Sequence, residues 1–260
     1  MNDKKNIYKI VAEMFRSITD HMEKKNLSRK WEYEYLANHW ERLCRAKDEG
    51  EMVGWFNFGI LPEPFVAFDI IPQQMENIMA PMAAWPEGKL TDSIDVSHQY
   101  VPDYLCFGHK TLVGAMVEGR LPKPDLIVGS THPCDSSREG HSMIAGYYDV
   151  PYFAIDIPYW EDKASYEYVA NQIRKLFSFL EEVTGRKLDI DKLREVVKHS
   201  NQSHEYILRT NELKKAVPCP LGGREGSIDT GMNTSLMGTI DAVKYFKKRY
   251  EQAKERVEKK

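Results

Sequence analysis

Residues 104–160 read YLCFGHKTLVGAMVEGRLPKPDLIVGSTHPCDSSREGHSMIAGYYDVPYFAIDIPYW, and this stretch decides the fold. Two of its apolar runs, Leu126–Val128 and Tyr152–Ile155, have the composition of buried strands. Helix-like segments alternate with them: Tyr104–Glu118, closed by Gly119 and the prolines at 122 and 124, and a second near Glu139–Tyr148. Strand–helix–strand order with short links predicts a right-handed parallel crossover. Cys106 in YLCFGH and Cys134 in STHPCDSS then fall in loops or helix starts at one edge of that sheet. Open α/β sheets bind ligands outside the carboxyl ends of their strands. Two thiols presented there point to a metal or cluster site rather than a disulfide.

Outward from this stretch the pattern is helical on both sides. Ile7, Ile10, Val11, Met14, Phe15 and Ile18 recur at helical spacing, as do Trp31, Leu36, Trp40 and Leu43, with Gly50 as the stop. MVGWFNFGIL reads as a strand running into Pro62, Glu63 and Pro64, where a short helix begins. Residues Pro72–Asp95 show no clean period and read as connecting structure with short elements. From Asp162 to about Lys215 the chain is strongly helical, with Tyr166, Val169, Ile173, Leu176 and Leu180 on one stripe. VPCPLGGREGSIDTG reads as turns before a last helix, Ser235–Lys260.

Composition narrows the function classes. The formal net charge of −3 over 260 residues gives no broad pull toward nucleic acid. Apolar runs stay far short of the roughly 20 residues that cross a bilayer, and the first residues lack a signal-peptide core. Four widely spaced cysteines do not resemble a secreted disulfide framework, so a reducing, cytoplasmic setting is expected.

Three segments in register resemble the 2-hydroxyacyl-CoA dehydratase and benzoyl-CoA reductase subunits. They are GWFNFGILPEP with its following helix, the Cys106–Trp160 region with its Pro-Asp strand and Cys-Asp pair, and NELKKAVPCPLGG. The resemblance covers roughly Met52–Gly223, the N-terminal portion of such a subunit. It implies an α/β fold of Rossmann/flavodoxin-like parallel-sheet layers flanked by helices, with a helical N-terminal layer. The expected domains are 1–160, carrying the cysteine loops, and 161–260, a mostly helical segment leading toward a missing or reduced second α/β domain.

The implied function is the iron–sulfur subunit of an (R)-2-hydroxyacyl-CoA dehydratase, a lyase that eliminates water from a CoA thioester through a ketyl radical. The alternatives are benzoyl-CoA reductase-type ring reduction and a cluster-free assembly or regulatory relative. A 4Fe-4S cluster is the implied cofactor, held by three cysteines in family members, with Cys106 and Cys134 at the first two positions. The third lies further along than this sequence reaches, so little iron is expected on the isolated chain, and the two thiols are expected to approach each other. The implied partners are an acyl-CoA substrate, a homologous second subunit and a separate ATP-dependent activator, with neither nucleic acid nor membrane.

The same resemblance puts Glu63 beside the substrate cavity, although Pro64 departs from the acidic residue usual there. His132 and His141 are equal candidates for binding a thioester or a cluster water, with His132 among the polar residues nearest Cys134 in sequence. Asp156 reads as a cap for the next helix, Arg138 as a surface charge, and Cys44, in an amphipathic helix, as structural. GREG lacks the spacing of a phosphate loop. A rival metal reading uses zinc on Cys106, Cys134 and His132 or His109, but zinc ligand pairs are usually closer in sequence.

Overall fold

The computed structural model describes residues 6–84 and 90–259. Residues 85–89, inside the predicted connecting stretch, and Lys260, at the end of the predicted last helix, lie outside the described residues. The chain divides into two compact units: residues 1–60 with 68–187, and residues 61–67 with 188–260.

The first unit is an α/β layered fold around a four-stranded, all-parallel sheet. Helices α1 (Ile7–Lys24) and α2 (Lys30–Arg45) precede β1 (Met52–Phe56). After α3 (Glu63–Ala67), which clusters with the second unit, come β2 (Ile70–Gln74), α4 (Glu76–Ala84), α5 (Leu90–Ser97) and α6 (Phe107–Val117). Then follow β3 (Leu126–Ser130), α7 (Asp135–Tyr148), β4 (Tyr152–Ile155) and α8 (Lys163–Thr184). The sheet order is β2-β1-β3-β4, with Gly54 opposite Leu126 and Val128 opposite Phe153. β1, β2 and β3 are buried along nearly their whole length, as strands covered on both faces must be.

β2 straddles the start of the Pro72–Asp95 stretch, whose sequence showed no period. Pro72 hid it, because a proline cannot donate to a ladder and usually argues against a strand. Here Pro72 sits opposite Gly54 in the strand at the sheet margin, where the missing N–H has no neighbour to serve. The predicted strand at Leu126–Val128 extends to Ser130, and α7 starts at Asp135, directly after Cys134, four residues earlier than its apolar period implied.

The N-terminal helices belong to the same core. Ile7, Tyr8, Val11, Trp40 and Leu43 pack in one cluster with Trp55, Ile71 and Ile127. The Trp55 indole N–H donates to the Tyr8 hydroxyl at 2.6 Å, so the largest core side chain is also satisfied as a donor. On the outer side Arg16 grips Glu41 through two 2.7 Å bonds, tying α1 to α2. Asp125, the Asp of the Pro-Asp strand, accepts the Val53 N–H at 2.6 Å and starts the β1–β3 ladder.

In the second unit α9 (Ile190–Leu213) packs against α11 (Ile240–Glu258), with α10 (Gly223–Leu236) between them in sequence. The GREGSIDTG segment, read as turns, is therefore helix. Three glycines and several hydroxyl residues lower its intrinsic propensity, but tertiary and capping bonds override it. Glu225 accepts the Gly222 N–H at 3.1 Å, and Asp229 accepts from both Arg249 and the Tyr245 hydroxyl at 2.8 Å. The strongly helical stretch expected from Asp162 to about Lys215 forms two helices divided at Gly185, whose φ of +68° ends α8 in the left-handed region that favours glycine. α8 itself belongs to the first unit.

Helix α6 passes close against α5 at Gly114. A Cβ built there would lie 1.7 Å from the Ser93 carbonyl oxygen, a backbone atom that cannot swing aside. Gly114→Ala should therefore lower stability by about 1–3 kcal/mol or more. Gly146→Ala, in α7 with nothing within 4 Å, should be neutral or stabilise by up to about 1 kcal/mol. Urea unfolding of the two variants measures the contrast.

Candidate functional site

The sheet order creates a topological switch point. From β1 the chain moves outward to β2, and from β3 it moves the other way to β4, so the loops leaving β1 and β3 diverge from adjacent strands. Ligand sites of open α/β sheets form at such a crevice. Here Asn57, fully buried, holds the loops together. Its amide donates to Ser137 Oγ at 2.9 Å and its carbonyl accepts from Ser130 Oγ at 3.3 Å. The single Ser130 hydroxyl proton is shared with the His132 carbonyl, which lies closer. Gly59, at φ +98°, passes so near that a Cβ would meet the His132 carbonyl oxygen at 2.8 Å. The NFG of GWFNFGILPEP thus has a physical reason in this fold.

Both sequence-predicted cysteines stand at this edge. Cys106 is the N-cap of α6 and Cys134 the N-cap of α7, neither engaged in a side-chain cap bond. Their loops are joined directly, since the Cys106 N–H donates to Ser136 Oγ at 3.1 Å. Cys106 is exposed and Cys134 half-buried. The N–H groups at a helix start favour negative charge nearby, a setting suited to sulfur ligands of an anionic cluster. His132 precedes Cys134 through a cis His132–Pro133 peptide, its Nδ1 buried with no hydrogen-bond partner and its ring 6.3 Å from that of Tyr159.

The remaining candidates separate clearly. Glu63 belongs to the second unit, where it opens α3 and accepts from Ser200 Oγ at 2.7 Å, with Oε2 unpartnered. Asp156 does not cap the next helix. It accepts from Thr131 Oγ1 and the Tyr168 hydroxyl at 3.0 Å, while Asp162 caps α8 by accepting from the Ser165 N–H. Arg138 pairs with Glu139 at 2.9 Å. Cys44 lies half-buried in α2, its thiol pushed up to about 11 by burial. Cys219 is exposed in the second unit.

Sequence reasoning missed Asn57, Glu76 and Ser137, and weighed His109 only as a zinc alternative. Glu76 opens α4 directly after β2, so hiding β2 also hid Glu76. It receives the Ser137 hydroxyl at 3.3 Å, and burial pushes its carboxyl up to about 7. His109, in the first turn of α6, and His141, in α7, meet edge to face with ring centroids 5.5 Å apart. Burial lowers them to about 4 and about 3, so both are neutral imidazoles near pH 7. Glu76 Oε2, His109 Nδ1 and His141 Nε2 have no hydrogen-bond partner. A buried orphan costs about 1–3 kcal/mol, so three in one place is unusual.

A parallel sheet with a switch-point crevice, and Cys106 and Cys134 at the helix starts beside it, defines a ligand-site architecture of the α/β class. Residues 60–260 match the family described as 2-hydroxyglutaryl-CoA dehydratase, D-component, and the chain belongs to that family. It is 28% identical over 230 residues to a benzoyl-CoA reductase subunit of Thauera aromatica, covering 82% of this chain and 52% of that one. It is also 28% identical over 210 residues to the (R)-phenyllactyl-CoA dehydratase alpha subunit of Clostridium sporogenes, covering 78% and 52%. The match to the (R)-2-hydroxyisocaproyl-CoA dehydratase alpha subunit of Clostridioides difficile is 26% over 198 residues, covering 72% and 48%. The chain thus spans about half the length of the curated relatives it matches. Among the described residues, no helix is long and apolar enough to cross a membrane.

The four thiols should differ sharply in reactivity. In metal-free, reduced protein at pH 8, Cys44 should alkylate at least about 100-fold more slowly than the exposed Cys106 and Cys219, because burial limits both access and thiolate formation. Time-resolved peptide mass spectrometry gives the rates. Equal rates at Cys44 and Cys106 would contradict the placement of both.

Proposed function

We propose that this chain acts in a dehydratase-type lyase on (R)-2-hydroxyacyl-CoA thioesters, as the subunit in which Cys106 and Cys134 ligate a 4Fe-4S cluster. The observation that carries this reading is the bond between the Cys106 N–H and Ser136 Oγ, which joins the two cysteine loops at the switch point. The donor set suits such a group. Soft thiolates favour iron–sulfur clusters, and the helix starts of α6 and α7 oppose their negative charge. Cys106 and Cys134 would hold two corners of such a group, which would supply low-potential electron transfer when bound.

The chain's own residues then position and insulate. Asn57 and Gly59 fix the β1 loop against the Cys134 loop, and Ser136 orients the Cys106 backbone. His132, with an unpartnered buried Nδ1, would donate a hydrogen bond near Cys134. Glu63 would serve on the substrate side, its Oε2 unpartnered beside the Ser200 bond. The remaining cluster ligand would come from outside the two matched cysteines. A homologous second subunit and an ATP-dependent activator complete the assembly, in the reducing cytoplasm. The similarity to a benzoyl-CoA reductase subunit favours ring reduction as the second reading.

Cys134→Ser, introduced into the complex assembled anaerobically with its partner subunit and activator, should remove cluster iron and at least about 99% of turnover together. Full turnover with an intact iron content would overturn the assignment. Offering both a 2-hydroxyacyl-CoA and an aromatic acyl-CoA to the unmodified complex separates dehydration from ring reduction.

A further inference from the structure

We propose that Glu76, His109 and His141 form a second metal site, distinct from the cysteines, for a single divalent transition ion of the zinc class. One candidate ligand atom from each residue lies within 4.8 Å of the other two. Tetrahedral coordination with bonds of about 2.0–2.1 Å sets ligand atoms about 3.4 Å apart. Each side chain would therefore move by less than about 1 Å to close on an ion. Three protein ligands leave one position for water, as in zinc sites built from two histidines and a glutamate.

The site has the features of a built one. His141 is fully buried, His109 is 4% exposed and Glu76 9% exposed, yet Glu76 Oε2, His109 Nδ1 and His141 Nε2 are all unpartnered. A proton shared between Glu76 and His109 does not account for them, since their closest atoms, Oε1 and Nε2, stand 4.0 Å apart, beyond hydrogen-bond range. Ser137 supplies an outer partner. Its Oγ lies 3.5 Å from His141 Nδ1, donates to Glu76 Oε1 at 3.3 Å, and is itself held by Asn57. Partners of this kind fix the ring so that the other nitrogen faces the ion.

Two nitrogens and a carboxylate select zinc, cobalt or ferrous iron over calcium and magnesium, which take oxygen ligands. The ligands come from the starts of α4 and α6 and from within α7, so a bound ion would lock these helices beneath the cysteine loops. Among the described residues, no cysteine belongs to this group. The site is therefore separable from the thiol pair and does not depend on the cluster reading.

The test uses the chain carrying Cys106→Ser and Cys134→Ser, dialysed against chelator and titrated anaerobically with cobalt(II). If that variant does not fold, unmodified protein alkylated at both cysteines replaces it. The expected result is one equivalent bound, with visible ligand-field bands and no thiolate charge-transfer absorption. Zinc should displace the cobalt and raise the Tm. Adding Glu76→Gln, nearly isosteric and checked by circular dichroism, or His141→Asn should weaken binding by at least about 10-fold and abolish the Tm rise. Folded protein that binds no cobalt, or a folded Glu76→Gln variant with unchanged affinity, would overturn the site. Loss of cluster iron in the cysteine variant, with the cobalt site intact, would show two independent centres.

Discussion

The site depends on a single buried amide. Asn57 sits at the point where the chain leaves β1 and bonds to Ser130 at the end of β3 and to Ser137 in α7. Without it the two loops that diverge at the switch point would keep Gly59's close approach and the 3.3 Å contact of Ser130 Oγ with the Phe58 carbonyl, but lose the amide that ties β1 to α7. An amide in a dry interior is costly unless both its ends are used. Here both are used, so the network specifies one arrangement of the loops. That arrangement places Cys134 and Ser136 at the start of α7, and through Ser136 it reaches the Cys106 loop.

Packing supports this edge from behind. The Trp55 indole is anchored on Tyr8, so the N-terminal helices brace β1 directly. Gly114 and Gly140 let helices approach closely, Gly114 against α5 and Gly140 against the His109 side chain. A Cβ at Gly140 would meet His109 Cβ at 3.3 Å, so the absence of a side chain there lets α7 pack closely on His109 where the two histidines meet. Tight packing of this kind lowers the local dielectric and strengthens the polar contacts it surrounds.

How much was legible in the sequence follows from which forces were local. Strands β3 and β4 announced themselves because a parallel strand buried on both faces is a short apolar run between breakers. Once those strands were placed, the cysteines could be read as lying in loops or helix starts at one sheet edge. β2 was hidden by Pro72, whose tolerance depends on being at the sheet margin, a property of the tertiary fold. α10 was hidden because its helix rests on Glu225, Asp229 and Arg249 rather than on apolar periodicity. The Glu76–His109–His141 group could not be read at all, since its members are 33 and 32 residues apart and carry no motif. Family resemblance supplied the iron–sulfur reading, and composition alone did not.

The central claim is that Cys106 and Cys134 face one common ligand. Reduced, metal-free protein treated with one equivalent of phenylarsine oxide tests it without needing the cluster, the partner subunit or turnover. The reagent bridges only thiols a few ångströms apart. The expected product is one bridged arsenic per chain, mapped by peptide mass spectrometry to Cys106 and Cys134, with both protected from alkylation. Independent alkylation of the two cysteines, with no bridged product at any reagent ratio, would contradict it.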